Sequence, residues 1–446
     1  VVDDFEIAGW GSFGALDSRD HPHIVYYTET NHGVKHANWT GAGWSIETVD
    51  CCRHIPWGSS IAIDDSDYPH ISYSYQHKAA GPSELRYARW DGSAWMNETV
   101  DPAIDTGRVS VLTLDSDGYP HIAYLKITTF FPHPECDLRY ARWDGNKWHL
   151  EVIEHVPDWI GEISFTLDSI GHPRISYSPK IEGNYTLKYA RWDGSAWITE
   201  TVDSHGDVAR RNSLALDTND RPQIAYNDMT NEDLKYASWD GSAWQLEIVD
   251  PGGDTGLGFY GWDPSIALDD FDRPHIGYWG NGLRYAWWNV IGWQTEQVDS
   301  VGFETLSISF ALNSSGYPSM SYNDYVTGEL RYAYRTELPP EPSRTMTLDI
   351  DPDTLNLKSR GRWITAYLSA ENASVHDMNV STILLQDALA PERWDYQDDV
   401  LMLKFSRQDF KDTVQVGESV SVKITGNWQD GTAFEAYDSI TVIAPP

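Results

Sequence analysis

Seven times along residues 1–337 the chain repeats one phrase: a short apolar run, an acid or amide, and a proline five residues later. The pairs are Asp17/Pro22, Asp64/Pro69, Asp115/Pro120, Asp168/Pro173, Asp217/Pro222, Asp269/Pro274 and Asn313/Pro318. Successive prolines lie 47, 51, 53, 49, 52 and 44 residues apart. A period of that length, rich in short strands and tight turns, marks radial architectures in which one unit cannot bury its apolar face without a neighbour.

The second copy shows how a unit is built. Ser60-Ile61-Ala62-Ile63 suits an inner strand buried on both faces. Asp64 to Pro69 turns the chain, since Asp accepts local backbone bonds and proline cannot continue a ladder. Ile71-Ser72-Tyr73 is a second strand with one thin face, and Leu85 to Trp90 a third. Asp91-Gly92-Ser93-Ala94 forms a hairpin turn into a fourth strand, Trp95 to Asp101. The Trp90/Trp95 bracket returns at Trp39/Trp44, Trp143/Trp148, Trp192/Trp197, Trp239/Trp244 and Trp288/Trp293. Identical placement in six copies points to packing rather than to a carbohydrate platform.

Four strands per copy predict propeller blades. The seventh copy supplies Leu306 to Leu312, Met320 to Asn323 and Leu330 to Tyr334, and lacks a fourth strand. Asp4-Phe5-Glu6-Ile7-Ala8 precedes the first inner strand, where a fourth strand stands elsewhere. The expectation over 1–337 is therefore an all-β, seven-bladed β-propeller closed by the N-terminal strand. Closure in cis gives a monomeric ring; in trans it gives self-association through terminal strand exchange. Residues 338–344, Leu-Pro-Pro-Glu-Pro-Ser-Arg, read as a stiff Pro-rich linker. Residues 345–446 hold about eight short alternating segments and no useful helix, which predicts an immunoglobulin-like β-sandwich.

The formal charge of −35 argues against nucleic acid or an anionic membrane surface as partner. No apolar run approaches eighteen residues, so membrane insertion is not expected. The start at Val1 rather than Met suggests a removed signal segment. Asn38, Asn97, Asn184, Asn313, Asn372 and Asn379 open N-x-Ser/Thr sequons, candidate glycosylation sites that favour an extracellular or cell-surface address. Cys51, Cys52 and Cys136 are disulfide candidates for at most one bridge, between neighbours or from the pair to Cys136.

The wording Leu114-Asp115-Ser116-Asp117-Gly118-Tyr119-Pro120-His121-Ile122-Ala123-Tyr124, followed by Leu138-Arg139-Tyr140-Ala141-Arg142-Trp143-Asp144-Gly145, resembles a repeat of secreted bacterial and archaeal proteins. It is similar, distantly, to BNR-type and sialidase-like propellers. The tail, from Asp349-Ile350-Asp351-Pro352 and Leu355-Asn356-Leu357-Lys358-Ser359 to Gly431-Thr432-Ala433-Phe434-Glu435, is similar to a small β-domain of secreted surface proteins. The resemblance implies the fold and an extracellular address. It carries no catalytic residue, because the sialidase Asp-box, Ser-x-Asp-x-Gly-x-x-Trp, does not occur.

In a propeller, the loops joining strand four to the next strand one, and strand two to strand three, share one face over the channel, where ligands sit. Those segments hold the candidate ligand-binding residues Arg53, His54, Trp57, His77, Arg108, Trp159, His205, Arg210, Tyr260 and Trp279, with Arg211 and Trp262 beside them. Aromatics next to Arg or His suit glycan binding; Arg with His or Tyr also suits lyase chemistry, the cation neutralising a uronate and the base taking its proton. No catalytic motif is present. The Gly256–Gly261 match to G-x-G-x-x-G lies between strands and lacks a βαβ unit. Asp349, Asp351 and Asp353 form a candidate Ca²⁺ site; no other cofactor is implied. The leading expectation is an extracellular structural or adhesion protein, a subunit of an assembly with glycan binding on the loop face. The alternative is a polysaccharide lyase or glycosidase with its site on that face.

Overall fold

The computed structural model describes residues 1–3, 8–28, 33–51, 58–76, 81–130, 134–252, 262–289, 292–300, 308–324, 327–337, 344–371, 373–429 and 431–444, with the stretch 8–11 and Trp262 described by backbone alone. The chain is all-β, with almost no helix, and divides into two compact units. Val1–Trp288 and Trp293–Leu338 form the first; Asn289–Gly292 and Pro339–Pro446 form the second.

The first unit is a succession of antiparallel sheets, each built from consecutive strands. The first sheet holds Ala8–Leu16, Pro22–Thr28, Gly33–Trp39 and Trp44–Cys51; the second holds Ser59–Ile63, Pro69–Gln76, Ser83–Trp90 and Trp95–Asp101. Four further sheets follow, opening at Thr106, Ile160, Val208 and Trp262. The last has three strands, Ile308–Leu312, Pro318–Asp324 and Glu329–Tyr334.

Three repeated polar contacts explain why the phrase recurs. On the inner strands, a serine four residues before the anchor acid accepts a backbone N–H from the next sheet: Ser60 from Leu112, Ser164 from Leu214, Ser213 from Ile266 and Ser265 from Phe310. In the turn, the residue three past the anchor has a left-handed backbone: Asp20, Asp67, Asp220 and Asp272, or Gly118, Gly171 and Gly316. Only Gly, Asp and Asn adopt that conformation readily. Where it is Asp, its carboxylate takes both the N–H and the hydroxyl of a Ser or Thr in the preceding sheet. Ser18 pairs with Asp67 in this way, Ser169 with Asp220 and Thr218 with Asp272.

The third contact ends each fourth strand. Its terminal acid accepts the phenol of a second-strand Tyr from the next sheet: Asp50 from Tyr73 at 2.7 Å, Asp101 from Tyr124 at 2.8 Å, Glu154 from Tyr177, Asp203 from Tyr226 at 2.8 Å, Asp250 from Tyr278 at 2.5 Å and Asp299 from Tyr322 at 2.7 Å. A cross-strand Arg or Lys completes each, as Arg139 does at Asp101 and Lys188 at Glu154. Burial and the neighbouring carboxylate both push the Tyr73, Tyr124 and Tyr226 pKa values up, so these phenols stay protonated donors.

All three contacts also join the last sheet to the first. Gly14 N–H donates to Ser309 at 2.9 Å, Ser314 binds Asp20, and Tyr26 donates to Asp3 at 2.7 Å. Asp3 bridges Leu330, the place Asp101 holds opposite Leu85 and Asp203 opposite Leu187. Val2-Asp3 thus repeats the Val100-Asp101 ending of a fourth strand. The described part of the terminal pairing is thus Val2-Asp3; Asp4 to Ile7 of the expected closing strand lie outside the described residues, and Ala8, expected in that strand, instead opens the first inner strand.

The tryptophans serve these junctions. Trp90/Trp95 and Trp192/Trp197 meet edge to face at 5.6 and 5.8 Å. The second member packs on an aromatic of the preceding sheet, Trp148 on Tyr87 at 5.6 Å and Trp197 on Tyr140 at 5.4 Å. Its indole N–H donates to a Glu there, Trp148 to Glu98 and Trp197 to Glu151. The histidines after the prolines are buried in relays: Asp64–His70–Tyr87, Asp115–His121–Tyr140 and Asp269–His275–Tyr285.

In the first sheet the relay is Asp17–His23–His36, with His36 where the others have Tyr. Burial, then the charge of His23, lowers His36 from 6.5 to about 3. A folded pKa below the unfolded value means the fold holds the neutral ring, so stability is lost as pH falls below about 6.5 towards 3. His36→Tyr is expected to flatten the decline in melting temperature between pH 7 and pH 4. Equal slopes for the two proteins would refute that origin.

The second unit has two four-stranded sheets sharing one core. Thr345–Asp351, Trp363–Glu371, Val400–Ser406 and Arg393–Gln397 form one; Thr354–Asn356, Ala433–Ile443, Gly417–Trp428 and Met378–Leu385 form the other. Leu368, Leu403, Phe405, Ile424 and Trp428 fill the space between them. The segment 338–343, most of the expected linker, lies outside the described residues.

Candidate functional site

The inner strands begin at the end of the first unit where strand two also turns to strand three. Seven residues before the anchor acid, the repeats carry Trp10, Trp57, Arg108, Gly161, Arg210, Trp262 and Leu306. Arg108 and Arg210 therefore occupy one repeat position in the third and fifth sheets, with Gly161 between them in the fourth. A Cβ on Gly161 would stand 2.7 Å from Ser178 Oγ and 2.8 Å from the Arg210 carbonyl, so only glycine lets these strands approach. The backbone is strained nearby at Ala209, whose φ is 61°, and Asp263 shares the left-handed region at 48°. Such outliers persist only where surrounding structure enforces them.

A cavity of about 310 Å³ opens here, lined by Arg108, Trp159, Tyr185, Arg210, Arg211 and Cys136 among others. The guanidinium of Arg108 stands 5.6 Å from the Trp159 ring centre and that of Arg210 stands 5.9 Å from the Tyr185 ring centre. Lys180 reaches the same Tyr185 at 5.8 Å. Arg211 forms the wall, bonded to Glu162 and, at 3.0 Å, to Asp263. The Asp263 charge, with Glu162, holds Arg211 strongly protonated; burial pushes Asp263 up to about 6 against the pull of Arg211. Burial also raises the Tyr185 pKa. The cavity thus presents cations over aromatic faces on a chain of net charge −35.

Of the sequence candidates, Arg108, Trp159, Arg210 and Arg211 converge on this cavity. Trp279 does not: it is 5% exposed and packs with Phe310 and Tyr322 in a core cluster. The His205 side chain is 87% exposed and bonds Asp203, capping a junction acid. Arg53, His54, Trp57, His77 and Tyr260 lie outside the described residues, as does the Gly256–Gly261 stretch, and only the backbone of Trp262 is described. Tyr185 and Glu162 were not expected; the repeat position shared by Arg108 and Arg210 is the signal that leads to them.

Cys51 is exposed and Cys136 is buried against the cavity, and both are free thiols, so neither takes part in any of the candidate bridges; Cys52 lies outside the described residues. Asp349, Asp351 and Asp353 are exposed, and among the described residues no group of three or more His, Cys, Asp or Glu is placed to hold a metal ion. The alternation of the Thr345–Asp351 strand turns Asp349 and Asp351 outward beside buried Leu348 and Ile350. Asn97, Asn184 and Asn379 are exposed; Asn38 and Asn313 are half-buried, and the Asn313 oxygen anchors its turn through Ser315 and Tyr317; Asn372 lies outside the described residues. Among the described residues no helix is long and apolar enough to cross a membrane.

No protein-family model matches the chain, and no curated protein matches it. Among solved structures, a polysaccharide lyase, ulvan lyase, bound to -[GlcA(1-4)Rha3S]- superposes with a TM-score of 0.50 at 11% identity, covering 75% of this chain and 95% of that one. A fucose-specific lectin from Aleuria aurantia gives 0.43 at 14% identity over 66% and 96%. The likeness to the lyase is one of fold alone: an all-β chain made of many four-stranded antiparallel sheets.

Proposed function

We propose that this is a secreted or cell-surface adhesion protein that binds acidic glycans at the Arg108–Arg210 cavity. Its first unit is read as a seven-bladed propeller closed by Val1–Asp3, its second as an immunoglobulin-like sandwich. The observation that carries the binding role is the pair of cation–aromatic contacts, Arg108 with Trp159 and Arg210 with Tyr185, around one cavity. Guanidinium groups match carboxylate and sulfate oxygens, and aromatic faces receive the apolar faces of sugar rings.

Binding is favoured over turnover. Among the described residues that line the cavity there is no His, Glu162 is tied to Arg211, and the Tyr185 phenol holds its proton more tightly than usual. A lyase or glycosidase needs a base poised to accept a proton near neutral pH. A glycan array carrying uronate and sulfated oligosaccharides, with neutral ones beside them, is expected to show retention of the anionic set. Incubation should leave these ligands intact; double-bond formation or new reducing ends would replace this reading with the enzymatic one.

One observation favours a second role as an assembly subunit. Among the described residues, the outer edge of Glu329–Tyr334 is bridged only at Leu330, and Tyr334 is 70% exposed. A terminal strand exchanged between copies would cover that edge. Native mass measurement at rising concentration is expected to show association, and monomers throughout would remove this role.

A further inference from the structure

At the opposite end of the sheets, the turn clasp that joins Ser18 to Asp67 is missing between the second and third sheets. The residue after the anchor is Asp65 rather than Ser, and the left-handed position of the next turn is Gly118 rather than Asp. A carboxylate at 118 would face another acid, so glycine removes a like-charge contact. It also leaves space: nothing lies within 4 Å of where a Gly118 Cβ would stand.

A cavity of about 600 Å³ opens at this junction, within the size range of small-ligand sites. Tyr68, Trp90, Tyr119 and Trp143 supply aromatic walls, and the two tyrosines are 39% and 38% exposed. Each phenol lies over a hairpin glycine, its oxygen 3.0 Å from where a Cβ on Gly92 or Gly145 would stand. A larger hairpin residue would displace these rings from the cavity wall. At the same position the last sheet carries Tyr317, and the other sheets carry His21, His172, Arg221 or Arg273; only the second and third sheets set two such tyrosines side by side.

The polar lining selects the ligand. Arg89 donates, and Asp64, Asp91, Glu98 and Asp117 outnumber it, which disfavours an anion. Three of the four acids are already engaged by the fold: Asp64 holds the Ser66 and Tyr68 amides, Asp91 holds Ser93 and Ala94, and Glu98 holds the Trp148 indole. Carboxylates satisfied in this way are poor partners for an added cation, yet keep lone pairs for hydroxyl donors. Aromatic faces, one guanidinium and several acceptors together suit a hydroxyl-rich, uncharged ring.

We infer that this cleft binds an uncharged saccharide, at a site separate from the arginine cavity and of opposite electrostatic preference. A chain with both sites engages two glycan chemistries from its two ends.

The test is titration of the whole protein with neutral mono- and disaccharides, followed by tryptophan fluorescence and calorimetry. A polyamine and a lysine-rich peptide serve as cationic arms. The double variant Asp65→Ser with Gly118→Asp installs the clasp used by Ser18 and Asp67 and is expected to fold, because Asp67 shows that the turn accepts Asp. It should weaken saccharide binding at least about tenfold, as should Tyr119→Ala, the scale of losing a principal aromatic contact. Arg108→Ala, in the other cavity, should leave it unchanged. Absence of neutral-sugar binding, binding indifferent to the cleft variants, or binding of the cationic probes alone would overturn the inference.

Discussion

Asp203→Ala is expected to lower the unfolding free energy by about 3–5 kcal/mol, the scale of leaving a buried charge without its partner. The Asp203 carboxylate is fully buried and holds the Tyr226 phenol at 2.8 Å, Lys235 at 2.6 Å and the His205 amide at 2.9 Å. Without it, the nearest acid left to Lys235 among the described residues is Asp228, at 3.7 Å, beside the Tyr226 ring at 5.4 Å. Burial opposes ionisation of Asp203, yet Lys235 and the hydrogen bonds together hold its pKa below 3.8. The contribution is therefore present above about pH 3.8 and lost as pH falls below it. Tyr226→Phe removes one hydrogen bond and leaves the ion pair, at about 1 kcal/mol. Urea unfolding at pH 7 separates the two; an Asp203→Ala midpoint indistinguishable from the parent would show that the junction acids do not hold the sheets together.

Deleting Val1–Asp3 is expected to have an effect of similar size. Three hydrogen bonds disappear: Val2 N–H to Leu330 O at 2.7 Å, Leu330 N–H to Asp3 O at 3.2 Å and Tyr26 to Asp3. At about 1 kcal/mol each, together with burial of the Val2 side chain, the loss is about 4 kcal/mol. The last sheet then keeps its inner-strand contact through Ser309 and its turn clasp through Asp20, but exposes Leu330. Limited proteolysis should cut first within residues 308–337. A deletion variant with unchanged melting temperature and proteolytic pattern would mean that these three residues contribute nothing to closure.

The repeat was readable because each copy states the same contacts. Anchor acid, proline and the Trp pair recur at fixed spacing, and each proves to be a turn, a strand start or a junction contact. Val2-Asp3 escaped notice because three residues are too few to display the fourth-strand pattern, and the longer Asp4–Ala8 segment stood in the expected place. Trp279 was mistaken for a loop residue because these second strands are buried on both faces. Tyr278 and Trp279 are both in the core, so alternation offers no inside or outside. The arginine cavity was half visible. Arg108 and Arg210 stood out as cations on an acidic chain, but Tyr185 comes from a hairpin insertion, Asn184–Tyr185, that among the described residues only the fourth sheet carries. A period defined by what is common cannot announce what only one copy has.

Calorimetric titration of a uronate-containing oligosaccharide into the parent and into Arg108→Ala with Arg210→Ala tests the central claim most directly. One site per chain is expected, weakening as salt rises, with affinity reduced at least about tenfold in the double variant, since each Arg–carboxylate contact contributes about 1.5–3 kcal/mol. Absence of binding to the parent, or equal affinity in both proteins, would contradict the account.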